Sequence, residues 1–552
     1  MYLKFRIITV LCTLLITFSC KKESAVAEVK NVNEVRQWKP EDKRSITGVM
    51  AERGLILKTE ETTPGYVLFE PASGVDSYLI NMDGMVVKTW TGELSSMISY
   101  LLPNGHLIRL ERDEDFPTFA AGGQAGRIRE YDWDGNMVWD FEYANEKELI
   151  HHDIEVMPNG NILAISYEVK SKEEAIMAGM DPKHVPNAGV WPDKIIEIKP
   201  SKPSGGEVIW EWHMWDHLIQ DIDSTKQNYG DIAEHPRRIN INIHDEQGPP
   251  MTAEQIEHMI KMGFMTSNAT VDNRGSDISH VNAIAYNEAL DQIVFSSPHY
   301  NEIFIVDHST TTEEAKGVTG GRWSHGGALL YRWGNPENYG REGNERQLLY
   351  GQHDIKWIPE GYPGAGNLTV FNNDIVNPEN KLPSVWGAIM EAKSADPMIA
   401  IGDFGNYSAV YEFAPETKKD GTYIIPESDP IGPAEPVWSY MAPDKYSFYS
   451  AFISGAQRLK NGNTLITSGA KGRFMEVTPD HKIVWEYWNP YKQDYKLPDG
   501  SAAQPTGPFL FGQFRSTHFT PDFPAFQGKE LKPVSPQPKP FVFVPPPPPP
   551  QN

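Results

Sequence analysis

The sequence has almost no cysteine: among 552 residues there are two, Cys12 and Cys20, both near the amino terminus. A mature chain that starts at Cys20 has no disulfide and no thiol nucleophile. Basic residues are also scarce, with 50 Lys and Arg against 74 Asp and Glu, a formal charge of −24. This charge argues against a nucleic-acid partner, which needs a basic surface. It does not exclude a small anionic substrate, because local donors can outweigh a distant negative field.

Long apolar runs are absent except within residues 1–20, MYLKFRIITVLCTLLITFSC. There Lys4 and Arg6 precede an apolar stretch that is too short to span a bilayer stably, and Ser19 precedes Cys20. The pattern predicts a secretory signal in which Cys20 is the lipidated residue of a bacterial lipoprotein, with an ordinary signal peptide cut nearby as the alternative. We therefore expect an exported protein that is attached to the outer membrane only through lipid, on its periplasmic or cell-surface side.

Polar segments flank the part of the chain that carries regular periodicity. Residues 21–60 are charged and without sustained periodicity, which indicates a tether and an entry segment. Residues 529–552 are Pro-rich and end in PPPPPP, a pattern typical of an extended polyproline tail with no catalytic part. The segment between them, 61–528, is the predicted catalytic domain.

Five stretches in this domain share one cadence: each begins as a strand, reaches a turn at its seventh residue and enters a second apolar run. They are MISYLLPNGH from Met97, HDIEVMPNGN from His152, HVNAIAYNE from His280, HDIKWIPEG from His353 and SGAQRLKNGN from Ser454. Two more strand-like runs follow each stretch, which is the signature of a four-stranded propeller blade. The last run of each blade carries a tryptophan that we interpret as packing between blades: Trp139, Trp210, Trp333, Trp438 and Trp485.

A sixth blade lacks its innermost strand in the amino-terminal part of the chain. Its outer strands are predicted in GYVLFE, YLINM and MVVKTW, and the run FLFGQFRSTHFT at 509–520 can supply the fourth. Closure by both termini removes exposed sheet edges. The predicted fold class is therefore all-β, a six-bladed β-propeller closed by N- and C-terminal strands. Helical and loop insertions at about 214–278 and 371–398 are expected to overhang one mouth, the first with a helix at 252–262.

Alignment on the turns places one residue of each blade at an equivalent position near the axis. These residues are Met97, His152, His280, His353 and Ser454, and counting back from Pro521 in the closing strand adds Arg515. Packing alone would not require the same titratable residue three times, so the histidines predict a functional ring. Without a thiol, imidazole is the available nucleophile or metal ligand.

The sequence resembles the bacterial arylsulfate sulfotransferases across most of residues 65–526. The resemblance is carried by HDIEVMPNGNIL, HVNAIAYNEALDQIVFSS, EIFIVDH, LLYRWGNPENYG, GQHDIKW and SGAQRLKNGNTLITSGAKGRFMEVTPDHKIVWEY. It implies a propeller that moves a sulfuryl group from a phenolic sulfate to a phenolic acceptor through a sulfohistidine, without a nucleotide sulfate donor or another cofactor. It also implies His353 as the nucleophile and His152, His280 and Asn282 as the groups that hold the sulfuryl oxygens.

The sequence departs from that family at an arginine that binds sulfate just past the paired serines. Here the serines end at Ser297 and are followed by Pro298 and His299. We expect Arg515 to replace the arginine, because a guanidinium keeps its charge and offers a fork suited to an oxyanion. His299, when protonated, and His518 are weaker candidates, and a salt bridge without substrate contact is the alternative role of Arg515.

Two other interpretations stay open. His152, His280 and His353 could bind a divalent ion such as zinc or manganese in a propeller hydrolase or lyase, although Asn282 and the lack of an acidic ligand in the ring disfavour it. The chain could also be a non-catalytic lipoprotein that binds a ligand on the propeller. Asp354 follows the predicted nucleophile, and we expect it to anchor the strand because adjacent strand residues face opposite sides.

Overall fold

The computed structural model describes residues 51–72, 74–113, 119, 122–243, 251–261, 269–341, 347–375, 406–492 and 510–542. The predicted lipidation site, Cys20, and the signal segment lie outside the described residues, as do 376–398 of the second insertion. In the part of the chain that is described, no helix combines the length and the apolar character needed to cross a membrane.

Six antiparallel sheets form the blades of a β-propeller, so the predicted fold class is confirmed. The first strands are β1 (Gly54–Lys58), β2 (Tyr66–Phe69), β3 (Asp76–Asn81), β4 (Val86–Thr91), β5 (Ser96–Leu101), β6 (Leu107–Arg112), β7 (Gly126–Tyr131), β8 (Met137–Glu142), β9 (Glu148–Val156), β10 (Ile162–Glu168), β11 (Val190–Trp191), β12 (Asp193–Pro200), β13 (Gly206–His213), β14 (Leu218–Ile219) and β15 (Ile239–Asn240). The others are β16 (Ser276–Asp277), β17 (Ala283–Asn287), β18 (Gln292–Ser297), β19 (Glu302–Asp307), β20 (Tyr331–Trp333), β21 (His353–Trp357), β22 (Leu368–Ile375), β23 (Tyr407–Phe413), β24 (Trp438–Tyr440), β25 (Gly455–Arg458), β26 (Thr464–Ser468), β27 (Arg473–Val477), β28 (Ile483–Trp488) and β29 (Ser516–Phe519).

From the axis outwards, blade 1 is β29-β2-β3-β4, blade 2 is β5-β6-β7-β8 and blade 3 is β9-β10-β12-β13. Blade 4 is β17-β18-β19-β20, blade 5 is β21-β22-β23-β24 and blade 6 is β25-β26-β27-β28. Short helices lie between strands: α1 (Lys172–Met177), α2 (Ala253–Lys261) and α3 (Thr312–Ala315), with single 3₁₀ turns at Pro182–His184, Met214–His217, Pro336–Tyr339, Lys445–Ser447, Gly469–Lys471 and Pro524–Phe526.

The carboxyl end of the chain completes blade 1, which confirms the predicted closure. β29 pairs antiparallel with β2, and Phe69 lies opposite Ser516. The entry segment adds a strand that the sequence did not predict, since β1 pairs with the outer edge of blade 6 and Gly54 lies opposite Trp488. Both ends of the described chain therefore extend sheets and leave fewer unpaired edge groups.

In half of the blades, the turn after the innermost strand is fixed by its own residues. In three blades an asparagine side chain accepts the backbone N–H two residues on, at 2.9–3.0 Å, and these residues are Asn104, Asn159 and Asn461. The next residue is a glycine with positive φ, as at Gly160 (φ 86°), which side chains with a Cβ rarely adopt. Because these turns require particular residues, the blade repeat can be recognised in the sequence.

Tryptophans in the outermost strands hydrogen-bond to the following blade and connect all six blades in a closed ring. The indole N–H donates from Trp90 to Asp132 O (3.2 Å), Trp139 to Gly205 O (2.8 Å), Trp210 to Thr310 Oγ1 (3.3 Å), Trp333 to Pro433 O (2.8 Å), Trp438 to Pro479 O (3.0 Å) and Trp485 to Met82 O (3.0 Å). The interpretation of these residues as packing between blades is confirmed, and Trp90 is a sixth member that the prediction left out.

The apolar core is divided among the blade interfaces, with one cluster between each pair of neighbouring blades. Between blades 5 and 6, for example, Phe371 and Val410 pack against Ala456 and Ile466. Because burial occurs between the blade faces, the innermost strands can carry polar side chains at the axis without opening the core.

The structure agrees with the two predicted insertions only in part. Helix α2 matches the predicted helix. Strand β16, near the end of the first insertion, pairs in parallel with β11, which lies between β10 and β12 in the chain. Strand β22 runs on to Ile375, so the second insertion begins after that residue rather than at Phe371. Asn373 remains in the strand because its amide donates to the backbone oxygens of Ser450 (2.8 Å) and Ile453 (2.7 Å).

The described part of the Pro-rich tail lies along blade 1. The Gln537 amide accepts from Val86 N and donates to Val86 O, both at 2.9 Å, and Val534 N donates to the same oxygen. These bonds cover the start of the outermost strand β4, which is a sheet edge.

We predict that Trp485→Phe lowers the free energy of unfolding by about 1–3 kcal/mol, because it leaves the buried Met82 carbonyl without a donor. Trp438→Phe is the matched control, since its bond to Pro479 O is exposed and water can replace it. Urea unfolding of both variants measures the difference. Equal losses would contradict the role assigned to the buried bond.

Candidate active site

The three predicted ring histidines lie close together. The ring centroids of His152 and His280 are 4.4 Å apart and nearly perpendicular, and Phe514 lies 6.0 Å from His152 and 6.3 Å from His353. His152 and His280 adopt left-handed backbone conformations, with φ of 55° and 50°. Such conformations cost about 1–2 kcal/mol for residues with a Cβ and persist where surrounding bonds enforce them, often at functional sites.

The other residues at the ring position have structural contacts. Met97 packs against the apolar cluster between blades 2 and 3. Ser454 is buried, and its hydroxyl donates to Ser450 Oγ (2.9 Å) and accepts from Gly469 N (3.0 Å). The chemistry of the ring is therefore concentrated in blades 3, 4 and 5.

His280 is paired with a carboxylate. Its Nδ1 lies 2.5 Å from Asp277 Oδ2, and its backbone N–H donates to Asp277 Oδ1 at 2.9 Å. Burial acts to lower the pKa of His280, but the charge of Asp277 and its hydrogen bond outweigh burial, so the pKa is raised. Tyr167 donates its hydroxyl to the same carboxylate at 2.8 Å. This arrangement favours an imidazolium at His280.

His353 is held in the opposite state. Its Nδ1 lies 2.8 Å from Asn373 Oδ1, and the Asn373 amide nitrogen donates to Ser450 O and Ile453 O. The amide is thereby oriented with its oxygen towards the imidazole, so Nδ1 carries the proton and Nε2 keeps a lone pair. Burial lowers the pKa of His353 to about 3. In this structure the Ile453 N–H donates to Nε2 at 3.2 Å.

His152 is contacted by a second histidine, its neighbour in the chain. The Nδ1 atoms of His151 and His152 are 2.7 Å apart, and His151 Nε2 lies 2.6 Å from Asp193 Oδ1. Burial and the nearby imidazoles of His280 and His151 hold the pKa of His152 well below its ordinary value. His152 is therefore held in its neutral form.

Residues just after the ring histidines tie each inner strand to the next blade. Asp153 Oδ2 accepts from Ile284 N at 3.1 Å, Asn282 Nδ2 donates to Gln352 O at 2.9 Å, and Asp354 Oδ2 accepts from Ala456 N at 2.8 Å. Asp354 therefore anchors strands, as its position after the predicted nucleophile suggested. Asn282 uses one amide hydrogen in its bond, and its buried Oδ1 has no hydrogen-bond partner in the described part of the protein.

Arg515 reaches the axis from the closing strand, as its register predicted. Its Nη1 donates to Asp153 Oδ2 at 2.6 Å, its Nη2 donates to Asn282 O at 2.8 Å, and its Nε lies 3.1 Å from Asp354 Oδ1. Burial acts to lower the pKa of Arg515, and the two carboxylates more than offset it. The guanidinium thus balances two buried carboxylates, and its contact with a sulfate stays a prediction.

The two weaker candidates lie in different surroundings. His299 stacks on His280 with centroids 4.9 Å apart, and its Nδ1 donates to Asp277 O at 2.9 Å. His518 lies against Gly65, where a Cβ would come within 2.4 Å of its Nε2, and burial lowers its pKa to about 4. His299 therefore belongs to the histidine cluster, whereas His518 lies against Gly65, just before β2.

A glycine pair covers the histidines. Gly123 O accepts from His152 N at 2.8 Å, and a Cβ at Gly123 would lie 2.1 Å from the His152 ring. A Cβ at Gly122 would be 3.7 Å from His280 Cε1. Only glycine allows this segment to approach His152 so closely.

The alternative of a metal centre has no supporting geometry. Among the residues that the structure describes, no three His, Cys, Asp or Glu side chains are grouped so that they could hold a metal ion. The contacts of the ring histidines are instead hydrogen bonds to Asp277, His151 and Asn373.

Sequence reasoning did not identify the partners of the histidines. His151 is visible as the first residue of the His-His-Asp triplet, and Asp277 precedes His280 by three positions. Asp193 and Asn373 lie 42 and 20 positions from the histidines that they contact, so nothing in the local sequence marks them.

A protein-family model matches most of this chain. The family model described as Arylsulfotransferase (ASST) matches residues 78–494. No curated protein matches the chain.

Similar solved structures include a protein of unknown function from Bacteroides caccae, with 11% identity over 77% of this chain and 93% of that chain (TM-score 0.36). A Kuenenia stuttgartiensis hydrazine synthase has 10% identity over 78% and 80% (TM-score 0.32). The periplasmic gluconolactonase PpgL from Pseudomonas aeruginosa has 9% identity over 77% and 96% (TM-score 0.32). These likenesses are too distant to bear on function.

We predict that Gly123→Ala destabilises the fold more than Gly135→Ala does. Both glycines have positive φ, 75° and 92°, so both variants carry a backbone cost of about 1–2 kcal/mol. Only Gly123→Ala also forces a methyl group into His152, at a further cost of about 1–3 kcal/mol, because nothing lies within 4 Å of a Cβ at Gly135. Thermal unfolding measures both. A Gly123→Ala variant as stable as Gly135→Ala would show that the covering segment moves freely.

Proposed function

The chain belongs to the arylsulfotransferase (ASST) family, and on that basis we propose that it transfers a sulfuryl group from an aryl sulfate ester to a phenolic acceptor through a sulfohistidine at His353. The observation that carries the proposal is the orientation of His353, whose Nδ1 faces Asn373 Oδ1 and whose Nε2 keeps its lone pair. No nucleotide sulfate donor and no metal take part in this route.

In the first half-reaction, His353 Nε2 attacks the sulfur atom and forms an N–S bond. The bond between sulfur and the phenolic oxygen breaks, the oxygen leaves with the electron pair, and one proton must reach it. The proton stays on His353 Nδ1 and is donated to Asn373 Oδ1, so that positive charge on the sulfated imidazole is partly met by the amide oxygen. In the second half-reaction an acceptor phenol loses its proton and its oxygen displaces His353 from sulfur.

Charge builds on the three sulfuryl oxygens during both displacements, and hydrogen-bond donors at the centre stabilise it. The His280 imidazolium that Asp277 favours is one such donor. The backbone N–H of Ile453 is a second, because it loses its acceptor when Nε2 bonds to sulfur. Asn282 has one amide hydrogen beyond its bond to Gln352 O and is the third.

Different protonation states of neighbouring histidines suit this chemistry. A nucleophile needs a neutral imidazole, and burial supplies it at His353. A histidine that holds an anion needs a charged imidazole, and Asp277 favours the charged form of His280 by raising its pKa. Environments that push like groups to opposite states are a recurrent feature of catalytic sites.

The proposal includes the place where the reaction occurs. We infer export and lipid attachment at Cys20, with the propeller at the outer membrane. The site is compatible with an oxidising compartment, because it contains no cysteine that could be oxidised.

The proposal is tested with the purified protein and an aryl sulfate that has a chromogenic phenol. We expect phenol release to depend on an acceptor phenol and to survive a chelator, and a sulfuryl mass to appear on the His353 peptide when the acceptor is omitted and the digest is kept alkaline. His353→Gln should lose both signals, whereas His308→Gln, at a histidine bound to Asp291 and Glu197 away from the ring, should keep them. Turnover by His353→Gln, or a label on another residue, would refute the assignment.

The pH dependence of kcat/KM provides a separate prediction. His353 is inactive when protonated, and since its pKa is lowered from 6.5 to about 3, the acid limb should lie well below the ordinary histidine range. His280 is active when protonated, and its raised pKa puts loss of activity on the alkaline side. We expect a plateau from about pH 5 to neutrality, with folding followed by circular dichroism. An acid limb centred near 6.5 would contradict the buried neutral nucleophile.

A further inference from the structure

The imidazole of His152 is connected to a buried carboxylate by an unbroken chain of hydrogen bonds through His151. His152 Nδ1 contacts His151 Nδ1 at 2.7 Å, and His151 Nε2 contacts Asp193 Oδ1 at 2.6 Å. All three side chains are buried. The sulfuryl transfer described above uses neither His151 nor Asp193.

Asp193 is held as a carboxylate. Its Oδ2 accepts from Ser279 Oγ at 2.6 Å and from Val281 N at 2.7 Å, and Oδ1 contacts His151. With both oxygens engaged by donors, His151 Nε2 must carry the proton of its bond to Oδ1. Tyr167 stacks on the His151 ring with centroids 3.6 Å apart at 8°, which fixes the plane of the imidazole.

One proton lies between the two Nδ1 atoms, and it can belong to either ring. If His152 holds it, His151 is neutral and His152 Nε2 has a lone pair. If His151 holds it, His151 is an imidazolium against Asp193, and His152 Nε2 carries a proton instead. The pair therefore takes up or releases one proton at His152 Nε2 while the positive charge rests on His151, beside the carboxylate.

We propose, on the basis of the sulfuryl transfer proposed above, that Asp193 and His151 are positioning residues that make His152 the general acid and base of the reaction. In the first half-reaction His152 Nε2 gives its proton to the phenolic oxygen as the S–O bond breaks, and the shared proton moves from His151 to His152. In the second, His152 Nε2 takes the proton of the acceptor phenol as its oxygen attacks sulfur, and the shared proton returns to His151. One proton leaves and one enters, so each cycle restores the pair.

His280 is less suited to this exchange. Its Nδ1 is bound to Asp277, which also accepts from Tyr167, so the charge of this imidazolium is held in place. A group that stabilises the sulfuryl oxygens in both half-reactions should keep its proton throughout. The acid and base must instead change state between them, and the ring of His152, 4.4 Å from His280, is next to the same centre.

The test compares His151→Gln and Asp193→Asn with the wild-type protein on two donors, a nitrophenyl sulfate and an unsubstituted phenyl sulfate. Nitrophenolate leaves without help, whereas phenolate needs a proton. We expect each variant to lose about 100-fold in the first half-reaction with phenyl sulfate and only a few-fold with the nitrophenyl ester. His308→Gln, which also removes a partly buried histidine held by two carboxylates, should change neither rate.

An equal loss with both donors would show that His151 and Asp193 only support the fold, and the relay would be wrong while the transfer reaction stands. If the wild-type protein transfers no sulfuryl group, the proposed function fails, and imidazole ¹⁵N NMR decides the relay separately. We expect His152 Nδ1 to share a proton with His151 and the His152 spectrum to change in Asp193→Asn. A His152 tautomer that is the same in wild type and Asp193→Asn would overturn the relay.

Discussion

The guanidinium of Arg515 is the contact on which the rest of the site depends. It comes from the closing strand of blade 1 and binds Asp153 of blade 3, the Asn282 carbonyl of blade 4 and, at ion-pair distance, Asp354 of blade 5. Each of these residues lies one or two positions after a ring histidine. Removing one partner of a buried ion pair costs about 3–5 kcal/mol, because the remaining charge is left without compensation. The residue that comes from the closing strand therefore also fixes the positions of the ring histidines.

The same residues explain how a polar centre exists in a protein whose core lies between blades. Asp153 and Asp354 bond to backbone within the next innermost strand, and Asn282 bonds to Gln352, the residue just before one, so that side chains join neighbouring blades near the axis. Further out, the indole bonds of Trp210, Trp333 and Trp438 connect the same pairs of blades at their periphery. The strands next to the histidines are thus held near the axis by these side chains and at the periphery by the tryptophans. Such bonds permit the left-handed conformations of His152 and His280.

Sequence alone predicted those features that repeat. The turn asparagines and the glycines after them mark the blades in the sequence. Counting back from the last turn predicted Arg515 at the axis. It could not predict that Asp153 and Asp354 would bind that arginine, because 362 positions separate Asp153 from Arg515 and nothing local marks the pair. Asn373 was missed for a different reason: the second insertion was predicted to begin at Phe371, whereas in the fold the amides of Asn372 and Asn373 bond to backbone groups and both residues remain in β22.

The state of Arg515 also bears on how a chain with a charge of −24 can hold an anion. A guanidinium that already balances two buried carboxylates contributes little net positive charge to a sulfate, and leaving them for the substrate would strand both. The positive charge at the centre must then come from groups whose counterion lies behind them. His280 fits this description, since Asp277 lies on its Nδ1 side and the ring of His152 is 4.4 Å from its own. On this argument, we expect His280 to hold the sulfuryl oxygens of the proposed reaction and Arg515 to keep the histidines in place.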